Sequence, residues 1–222
     1  MSKRLVVVIA GVTCGGKSSI ASKLFNIFDS VSVFHQDEFY YSDYDTHLKK
    51  IPELNYHNWD EIGAYNMDQM VASVACTSLK NLIILEGILL LDDARIVKFA
   101  DLKFFIIMDK ETCWNRRCKR QYLPPEPDGY FENYAWPQYE KHLTKVKENN
   151  SDVIFLNGTD SLEHNVAIVM DIIKNKLDEF YVCILYFPLD LKYSQNFANK
   201  FIRIFTIGEL IFTGLFLNLI HV

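Results

Sequence analysis

The chain has 222 residues and a mass of 25.9 kDa, which suits a single sizeable core with at most a small accessory element. Half of the residues are apolar and 23% are charged, and this excludes a disordered, collagenous or low-complexity protein. Because 23 Lys and Arg residues stand against 28 Asp and Glu residues, the net charge is −5, and no general attraction to nucleic acid or to an anionic membrane is expected.

Five short apolar runs predict strands, at residues 5–10, 31–34, 82–85, 103–108 and 153–156. Most of these runs are continuous, which is typical of strands that are covered on both faces. Helical periods lie between them, at 20–28, 67–74, 139–146 and 166–173. This alternation predicts an α/β fold with a five-stranded parallel sheet flanked by helices, and with ligands at the carboxyl ends of the strands.

Two acids are expected to cap helices. Asp109 follows the fourth predicted strand and suits an N-cap position. Asp160 is followed three residues later by Glu163, which resembles a capping box that opens the last helix.

A glycine-rich loop directly follows the first predicted strand. It matches the pattern G-x-x-x-x-G-K-[ST] from Gly11 to Ser18 and opens the first helix, which is the context that a phosphate-binding loop requires. In such a loop the backbone N–H groups surround the phosphates of a nucleotide, Lys17 reaches the β and γ oxygens, and Ser18 offers a hydroxyl to Mg²⁺.

Acidic residues follow the second and third predicted strands. Asp37 and Glu86 should therefore project beside the phosphate loop, because the carboxyl ends of parallel strands share one edge of the sheet. A single acid near a strand end usually only faces solvent. Two acids beside a phosphate loop instead favour phosphoryl transfer, in which a carboxylate orients or deprotonates an alcohol and another holds Mg²⁺ directly or through water.

A basic segment follows the fourth predicted strand and contains Arg116, Arg117, Lys119 and Arg120. On a helix, Arg116 and Arg120 share a face and Arg117 points about 100° away, so we expect one face to clamp ATP phosphates and the other to reach the acceptor. A solvated helix face is the common alternative for such a basic run. The Pro- and Gly-rich residues that follow predict a lid over about 116–131, which closes to exclude water.

Taken in order, these residues resemble the nicotinamide riboside kinase family, P-loop nucleoside kinases related to uridine kinases. The resemblance covers about 5–177. It implies a P-loop kinase fold with a small lid, and phosphorylation of the ribose 5′-hydroxyl of nicotinamide riboside by ATP with Mg²⁺, which yields the mononucleotide that feeds NAD synthesis. It rests on the phosphate loop and on Gln36-Asp37-Glu38-Phe39, Trp59-Asp60, Glu86-Gly87, Arg116 to Tyr122, Pro124-Pro125, Gly129-Tyr130-Phe131, Trp136-Pro137 and Asn157-Gly158-Thr159.

The resemblance also implies roles for individual residues. Asp37 would accept the proton, Lys17 and Arg116 would complete the catalytic set, and Ser18 and Asp37 would coordinate Mg²⁺, with Glu86 added by its place beside them. ATP would be held by Gly11, Val12, Thr13, Cys14, Gly15, Gly16, Lys17, Ser18, Ser19, Arg116, Arg120, Gln121 and Tyr122 and, at its adenine end, by Asp160, Ser161 and Leu162. The nucleoside would contact Asp37, Glu38, Phe39, Tyr40, Trp59, Asp60, Arg117, Tyr122 and Leu123.

Alternatives remain open at this point. A uridine- or cytidine-type kinase is the nearest enzymatic rival, and a non-catalytic scaffold whose tail binds a membrane or a partner is a rival from another class. A GTPase is disfavoured, because the N-K-x-D pattern at residues 175–178 ends an amphipathic helix instead of following a buried strand. The five cysteines lack any C-x-x-C pair, which favours the reduced cytoplasm and predicts neither disulfides nor zinc.

The last 44 residues differ from the rest of the chain. Residues 179–222 hold 10 of the 31 aromatic residues and carry no net charge. Their apolar run at 204–220 contains Glu209 and is shorter than the roughly 20 residues that span a bilayer. We therefore predict a kinase domain at 1–178 and an atypical hydrophobic tail at 179–222, interpreted as translated non-coding sequence, with a membrane anchor, added core or an oligomer interface as alternatives.

Overall fold

The computed structural model describes residues 4–42, 44–77 and 81–186. The chain divides into two compact units, Met1–Leu177 and Asp178–Val222. Only residues 178–186 of the second unit are described, as the end of a helix. The interpretation of the tail thus lies almost wholly outside the described residues and stays a prediction.

The described residues contain a main sheet, a small hairpin and helices between the strands. The strands are β1 (Leu5–Gly11), β2 (Val31–His35), β3 (Lys50–Ile51), β4 (Tyr56–His57), β5 (Leu82–Glu86), β6 (Leu102–Ile107) and β7 (Val153–Asn157). The helices are α1 (Lys17–Ile27), α2 (Tyr44–His47), α3 (Met67–Cys76), α4 (Ala94–Phe99), α5 (Lys110–Arg117), α6 (Trp136–Asn149) and α7 (Leu162–Tyr186).

The main sheet has the strand order β2-β5-β1-β6-β7, and all of its neighbouring strands run parallel. Every residue of β1 and β5 is buried, which explains why their sequences are continuously apolar. The predicted five-stranded parallel sheet flanked by helices is confirmed. The antiparallel pair β3–β4 was not predicted, because strands of two residues leave no readable pattern.

An apolar core lies against one face of the sheet. Val6, Val8 and Ala10 of β1 belong to the same buried cluster as Met70 of α3 and Val146 of α6. Leu5, Val7 and Ile9 alternate with them along β1 and are equally buried, as expected for a sheet that is covered on both faces. No helix within the described ranges is both long and apolar enough to cross a bilayer.

The ends of three helices, α1, α5 and α7, can be compared with the predictions from the sequence. Ile27, placed on the apolar period of α1, is 43% exposed because the helix ends there. Asp109 does cap α5, since its Oδ1 accepts a hydrogen bond of 2.8 Å from the Thr112 N–H. At α7 the predicted capping box is wrong: Ser161 Oγ accepts from the His164 N–H at 3.1 Å, while Asp160 pairs with Asn157.

Candidate active site

A cavity of about 730 Å³ opens where the phosphate loop, the ends of β2 and β5 and the segment after α5 meet. This edge of a parallel sheet is where ligands bind in open α/β folds. The residues that line it are Thr13, Cys14, Gly16, Lys17, Ser18, Ser19, Asp37, Tyr40, Tyr56, Trp59, Asp60, Glu86, Gly87, Ile88, Arg116, Arg117, Lys119, Arg120, Gln121, Tyr122, Leu123, Pro124, Glu126 and Tyr130.

The phosphate loop connects β1 to α1 through backbone conformations that require glycine. Gly16 has φ +94° at the start of α1, and Gly11 has φ +122°. A Cβ at Gly11 would lie 2.3 Å from the carbonyl oxygen of Ile106, so only glycine lets the loop approach β6 this closely. The loop therefore presents its N–H groups and the N-terminus of α1 to the cavity, as phosphate binding needs.

Lys17 lies at the base of this loop with its side chain buried. Its Nζ donates to the carbonyl oxygen of Val12 at 2.8 Å. Burial lowers the pKa of Lys17, while the carboxylates of Glu86 and Asp37 act in the opposite direction. The amine is thus a poorly solvated cation beside two acids, a state that the negative charge of a phosphate would stabilise.

Ser18, Glu86 and His35 form a polar cluster beside Lys17. The Ser18 hydroxyl donates to Glu86 Oε1 at 3.0 Å, and His35 Nδ1 lies 2.7 Å from the same oxygen. His35 was not predicted to belong to the site. The sequence cue that could have indicated His35 is its position at the end of β2. In the structure, the register of β2 with β5 places His35 opposite Glu86.

Asp37 lies in the short 3₁₀ turn that follows β2 and is exposed to the cavity. The surrounding walls desolvate its carboxyl group, which raises the pKa of Asp37; Lys17 opposes this effect and Glu86 adds to it. A carboxylate with a raised pKa is a stronger base, so Asp37 suits proton abstraction.

Ser18, Asp37 and Glu86 all line the cavity, and their oxygens could serve as ligands for a divalent ion. Hydroxyl and carboxylate oxygens fit Mg²⁺, which binds few protein ligands and completes its shell with water and substrate phosphates. No group of three or more His, Cys, Asp or Glu side chains within the described ranges could hold a metal ion on its own. Since the Ser18 proton is directed to Glu86, the lone pairs of Ser18 Oγ stay available.

The basic segment is arranged differently from the sequence interpretation. Helix α5 ends at Arg117, so Arg116 and Arg120 do not share one helix face. The backbone continues in a tighter turn, in which the Arg120 N–H donates to the Arg117 carbonyl at 2.9 Å. Both arginines still line the cavity, and Arg116 Nη1 donates to the carbonyl of Gly158 at 2.9 Å.

Arg117 is buried between the phosphate loop and the opposite wall. Its Nη1 donates to Thr13 Oγ1 at 3.0 Å, and its Nη2 lies 3.6 Å from Asp60 Oδ2. Its Nε donates to Glu126 Oε2 at 2.9 Å. Burial lowers the pKa of Arg117, but the charges of Asp60 and Glu126 outweigh this effect and raise it.

Aromatic side chains form the wall opposite the phosphate loop. Tyr40 packs edge-on against Trp59, with ring centroids 5.3 Å apart, and Tyr56 packs edge-on against Tyr130 at 5.0 Å. The Tyr130 hydroxyl donates to Asp60 Oδ2 at 2.8 Å and accepts from the Trp59 N–H at 2.9 Å. Tyr40, Trp59 and Asp60 were expected here, whereas Tyr56, Tyr130 and Glu126 were not, because their spacing along the chain carries no local signal.

The other predicted site residues differ in where they lie relative to the cavity. Phe39 packs in the apolar core, Glu38 is exposed and does not line the cavity, and Leu123 is 96% exposed at the rim. The predicted adenine contacts Asp160, Ser161 and Leu162 lie where α7 begins, outside the cavity lining. Gly11, Val12 and Gly15 shape the phosphate loop from behind, while Gln121 and Tyr122 line the cavity itself.

Comparison with known proteins shows that the chain is similar to kinases. The phosphoribulokinase/uridine kinase family matches residues 43–123. Nicotinamide riboside kinase 1 of Mus musculus is 31% identical over 193 residues, an alignment that covers 80% of this chain and 97% of the mouse protein. Nicotinamide riboside kinase of Schizosaccharomyces pombe is 25% identical and covers 62% of this chain and 78% of its own.

A solved structure supports the fold. The thymidylate kinase of Candida albicans superposes with a TM-score of 0.52 at 13% identity, over 78% of this chain and 92% of its own.

Proposed function

The chain belongs to the nicotinamide riboside kinase family, and from that premise we propose that it transfers the γ-phosphoryl group of ATP to the ribose 5′-hydroxyl of nicotinamide riboside. One observation carries the proposal: a phosphate loop with Lys17 and a base, Asp37, share a single cavity with an aromatic wall that holds Asp60. A nucleoside kinase needs a phosphate-binding end for ATP and an acceptor end for the nucleoside, and both must lie in the same cavity.

At the nucleotide end, residues of this chain hold and polarise the phosphates. The N–H groups of the phosphate loop surround the β-phosphate, Lys17 exchanges its bond to Val12 for phosphate oxygens, and Arg116 reaches the γ-phosphate. Ser18 and Asp37 would hold Mg²⁺, with Glu86 hydrogen-bonded to Ser18, and the ion would supply positive charge that neutralises the phosphates.

At the acceptor end, the aromatic wall and its acids suit a cationic base. The aromatic rings of Tyr40 and Trp59 line the cavity and suit contact with the positively charged pyridinium, and the carboxylate of Asp60 offers an acceptor to the ribose hydroxyls. The Tyr122 ring also lines the cavity, with the guanidinium groups of Arg117 and Arg120 over it at 4.9 and 5.4 Å. In the transfer step Asp37 takes the proton of the ribose 5′-hydroxyl, and the 5′-oxygen of the ribose bonds to the γ-phosphorus. The bond from that phosphorus to the bridging oxygen breaks, and ADP leaves.

Catalysis is assigned to residues 1–178, because every residue named in this mechanism lies there. The cysteines whose side chains are described, Cys14, Cys76, Cys113 and Cys118, are all free, which fits the reduced cytoplasm that we propose as the compartment. The partner is a small-molecule nucleoside.

The direct test is turnover of ATP with nicotinamide riboside and with uridine, using the wild-type chain and Asp37→Asn. We expect the wild type to prefer nicotinamide riboside, and Asp37→Asn to lose about 10²- to 10⁴-fold in kcat because the base is gone. Glu38→Gln is the matched control, since Glu38 is an exposed neighbour that does not line the cavity. A preference for uridine would show that the chain is a uridine-type kinase. Absence of turnover with both nucleosides would contradict the proposed activity and favour the non-catalytic scaffold.

A further inference from the structure

Arg117 differs from the other arginines of the site in its surroundings. Only 5% of Arg117 is exposed, whereas Arg116 and Arg120 are exposed. A guanidinium group removed from water must be compensated by acceptors, and an uncompensated one would be very costly. The positions of its acceptors therefore decide where the group can lie.

Glu126 is the principal acceptor. Its carboxylate receives Arg117 Nε at 2.9 and 3.1 Å, and Oε2 also accepts from Nη2. This two-pronged geometry fixes the plane of the guanidinium group as well as its position. Both oxygens of Glu126 therefore accept hydrogen bonds from Arg117, and Oε2 accepts two of them.

Asp60 is the second carboxylate within reach, and it is held less closely. The distance from Arg117 Nη2 to Asp60 Oδ2 is 3.6 Å, and the same oxygen accepts the shorter bond of 2.8 Å from Tyr130. Arg117 Nη2 is thus within ion-pair range of Asp60 but too far for a hydrogen bond, while the Nε and Nη2 edge of the guanidinium group is directed to Glu126. On the other side, Nη1 is bonded to Thr13 of the phosphate loop.

We propose that Glu126 is a positioning residue that keeps Arg117 away from the Asp60 carboxylate and so keeps Asp60 available to the hydroxyls of the nucleoside. The proposal rests on the proposed function, since it concerns the same acceptor end. When the Glu126 charge is removed, the buried guanidinium closes on the remaining carboxylate, and the nucleoside must compete with it. Lys17 and Ser18 bond to Val12 and Glu86 and not to Glu126, so we expect ATP binding to change much less than nucleoside binding.

The test is Glu126→Gln, which preserves the size of the side chain and removes its charge. We expect the KM for nicotinamide riboside to rise about tenfold, with kcat and the KM for ATP within about twofold of the wild type. Asp128→Asn is the matched control, because Asp128 is an exposed acid two residues further along the same loop. The expected effect of this control on either KM is less than about twofold.

A double-mutant cycle separates this role from general support of the loop. If Glu126 acts through Arg117, Glu126→Gln should add nothing to the KM once Arg117→Met is present. Three outcomes would each overturn the proposal. They are additive effects in the cycle, an equal rise in the KM for nicotinamide riboside in Asp128→Asn, and a fall in the kcat of Glu126→Gln at unchanged KM. Thermal melting of each variant identifies any that has lost its fold.

A substrate-free measurement keeps this proposal distinct from the proposed function. The loop between Arg117 and Glu126 contains Lys119 and Arg120, both exposed sites for trypsin. Glu126→Gln should be cut there several-fold faster than the wild type and Asp128→Asn, because the loop has lost its attachment to Arg117. If the wild type does not phosphorylate nicotinamide riboside, the proposed function fails; unchanged cleavage of Glu126→Gln would show that Glu126 does not hold Arg117.

Discussion

The two ends of the cavity differ in how the chain forms them. The phosphate loop consists of consecutive residues between β1 and α1, and its shape is fixed by backbone conformation at Gly11 and Gly16. The acceptor end gathers Tyr40, Asp60 and Tyr130 from separate segments and joins them by side-chain bonds, such as the one from Tyr130 to Asp60 across 70 positions of the chain. We expect the loss of Lys17, which meets the transferred phosphoryl group, to cost more activity than the loss of one side chain at the acceptor end.

The sharpest test of this contrast lies at the nucleotide end. Lys17→Met should reduce kcat/KM about 10³-fold, because the cation that meets the transferred phosphoryl group is removed. The free energy of unfolding should not fall, since the change also removes a buried, poorly solvated charge. Steady-state kinetics and urea unfolding measure the two effects.

Lys23→Met is the matched control for this change. Lys23 lies on the exposed side of the same helix, α1, and has no part in the cavity. A loss in Lys23→Met comparable to that in Lys17→Met would contradict the assignment of a phosphate-binding role to Lys17.

At the acceptor end a smaller and more selective loss is expected. Asp60→Asn should raise the KM for nicotinamide riboside about 30-fold, because a charged acceptor for hydroxyl groups becomes a neutral one. The KM for ATP should change by less than about threefold. Asp68→Asn, at an exposed acid that pairs with Arg95 on the surface, is the control. An equal loss for both substrates would show that the two ends do not work separately.

The smallest effect is expected outside the cavity lining, at Asp92. Its carboxylate accepts from Lys145 Nζ at 2.6 Å and lies 3.2 Å from His142 Nδ1. Burial raises the pKa of Asp92, but these two partners outweigh burial and lower it. A lowered pKa in the folded chain stabilises the fold above the ordinary value of about 3.9, and that stabilisation is lost as the pH falls through the folded pKa.

Asp92→Asn should therefore lower the free energy of unfolding by about 1 to 2 kcal/mol at pH 7 without changing either KM. The difference from the wild type should shrink once the pH falls below about 4. Urea unfolding across this pH range measures it, with Asp171→Asn on the exposed face of α7 as the control. A difference that persists at low pH would mean that the ion pair is not its source.

The parts of the site that could be predicted are those with local causes. The phosphate loop follows from the order of glycines and lysine, and Asp37 and Glu86 follow from their places at strand ends. The five strands were predicted for the same reason, because continuous apolar runs between helical periods reflect burial on both faces.

The parts that could not be predicted depend on distant contacts. His35 meets Glu86 only through the register of β2 with β5, and Glu126 meets Arg117 only because the loop after α5 folds back. The end of α5 at Arg117 was missed since the basic pattern continues beyond the last helical hydrogen bond. At α7, Ser161 and Asp160 are equally good caps by residue type, and the pairing of Asp160 with Asn157 decides between them.

The bond between the Tyr130 hydroxyl and the Trp59 backbone N–H has a use beyond the site itself. Trp59 lies in an irregular segment, where amide hydrogens normally exchange quickly with deuterium from the solvent. Here the partner is a buried hydroxyl at the far end of the loop after α5, so this single amide exchanges only when that contact opens. The exchange rate of the Trp59 amide therefore reports how often the hydrogen bond between Trp59 and Tyr130 opens, in the absence of any ligand.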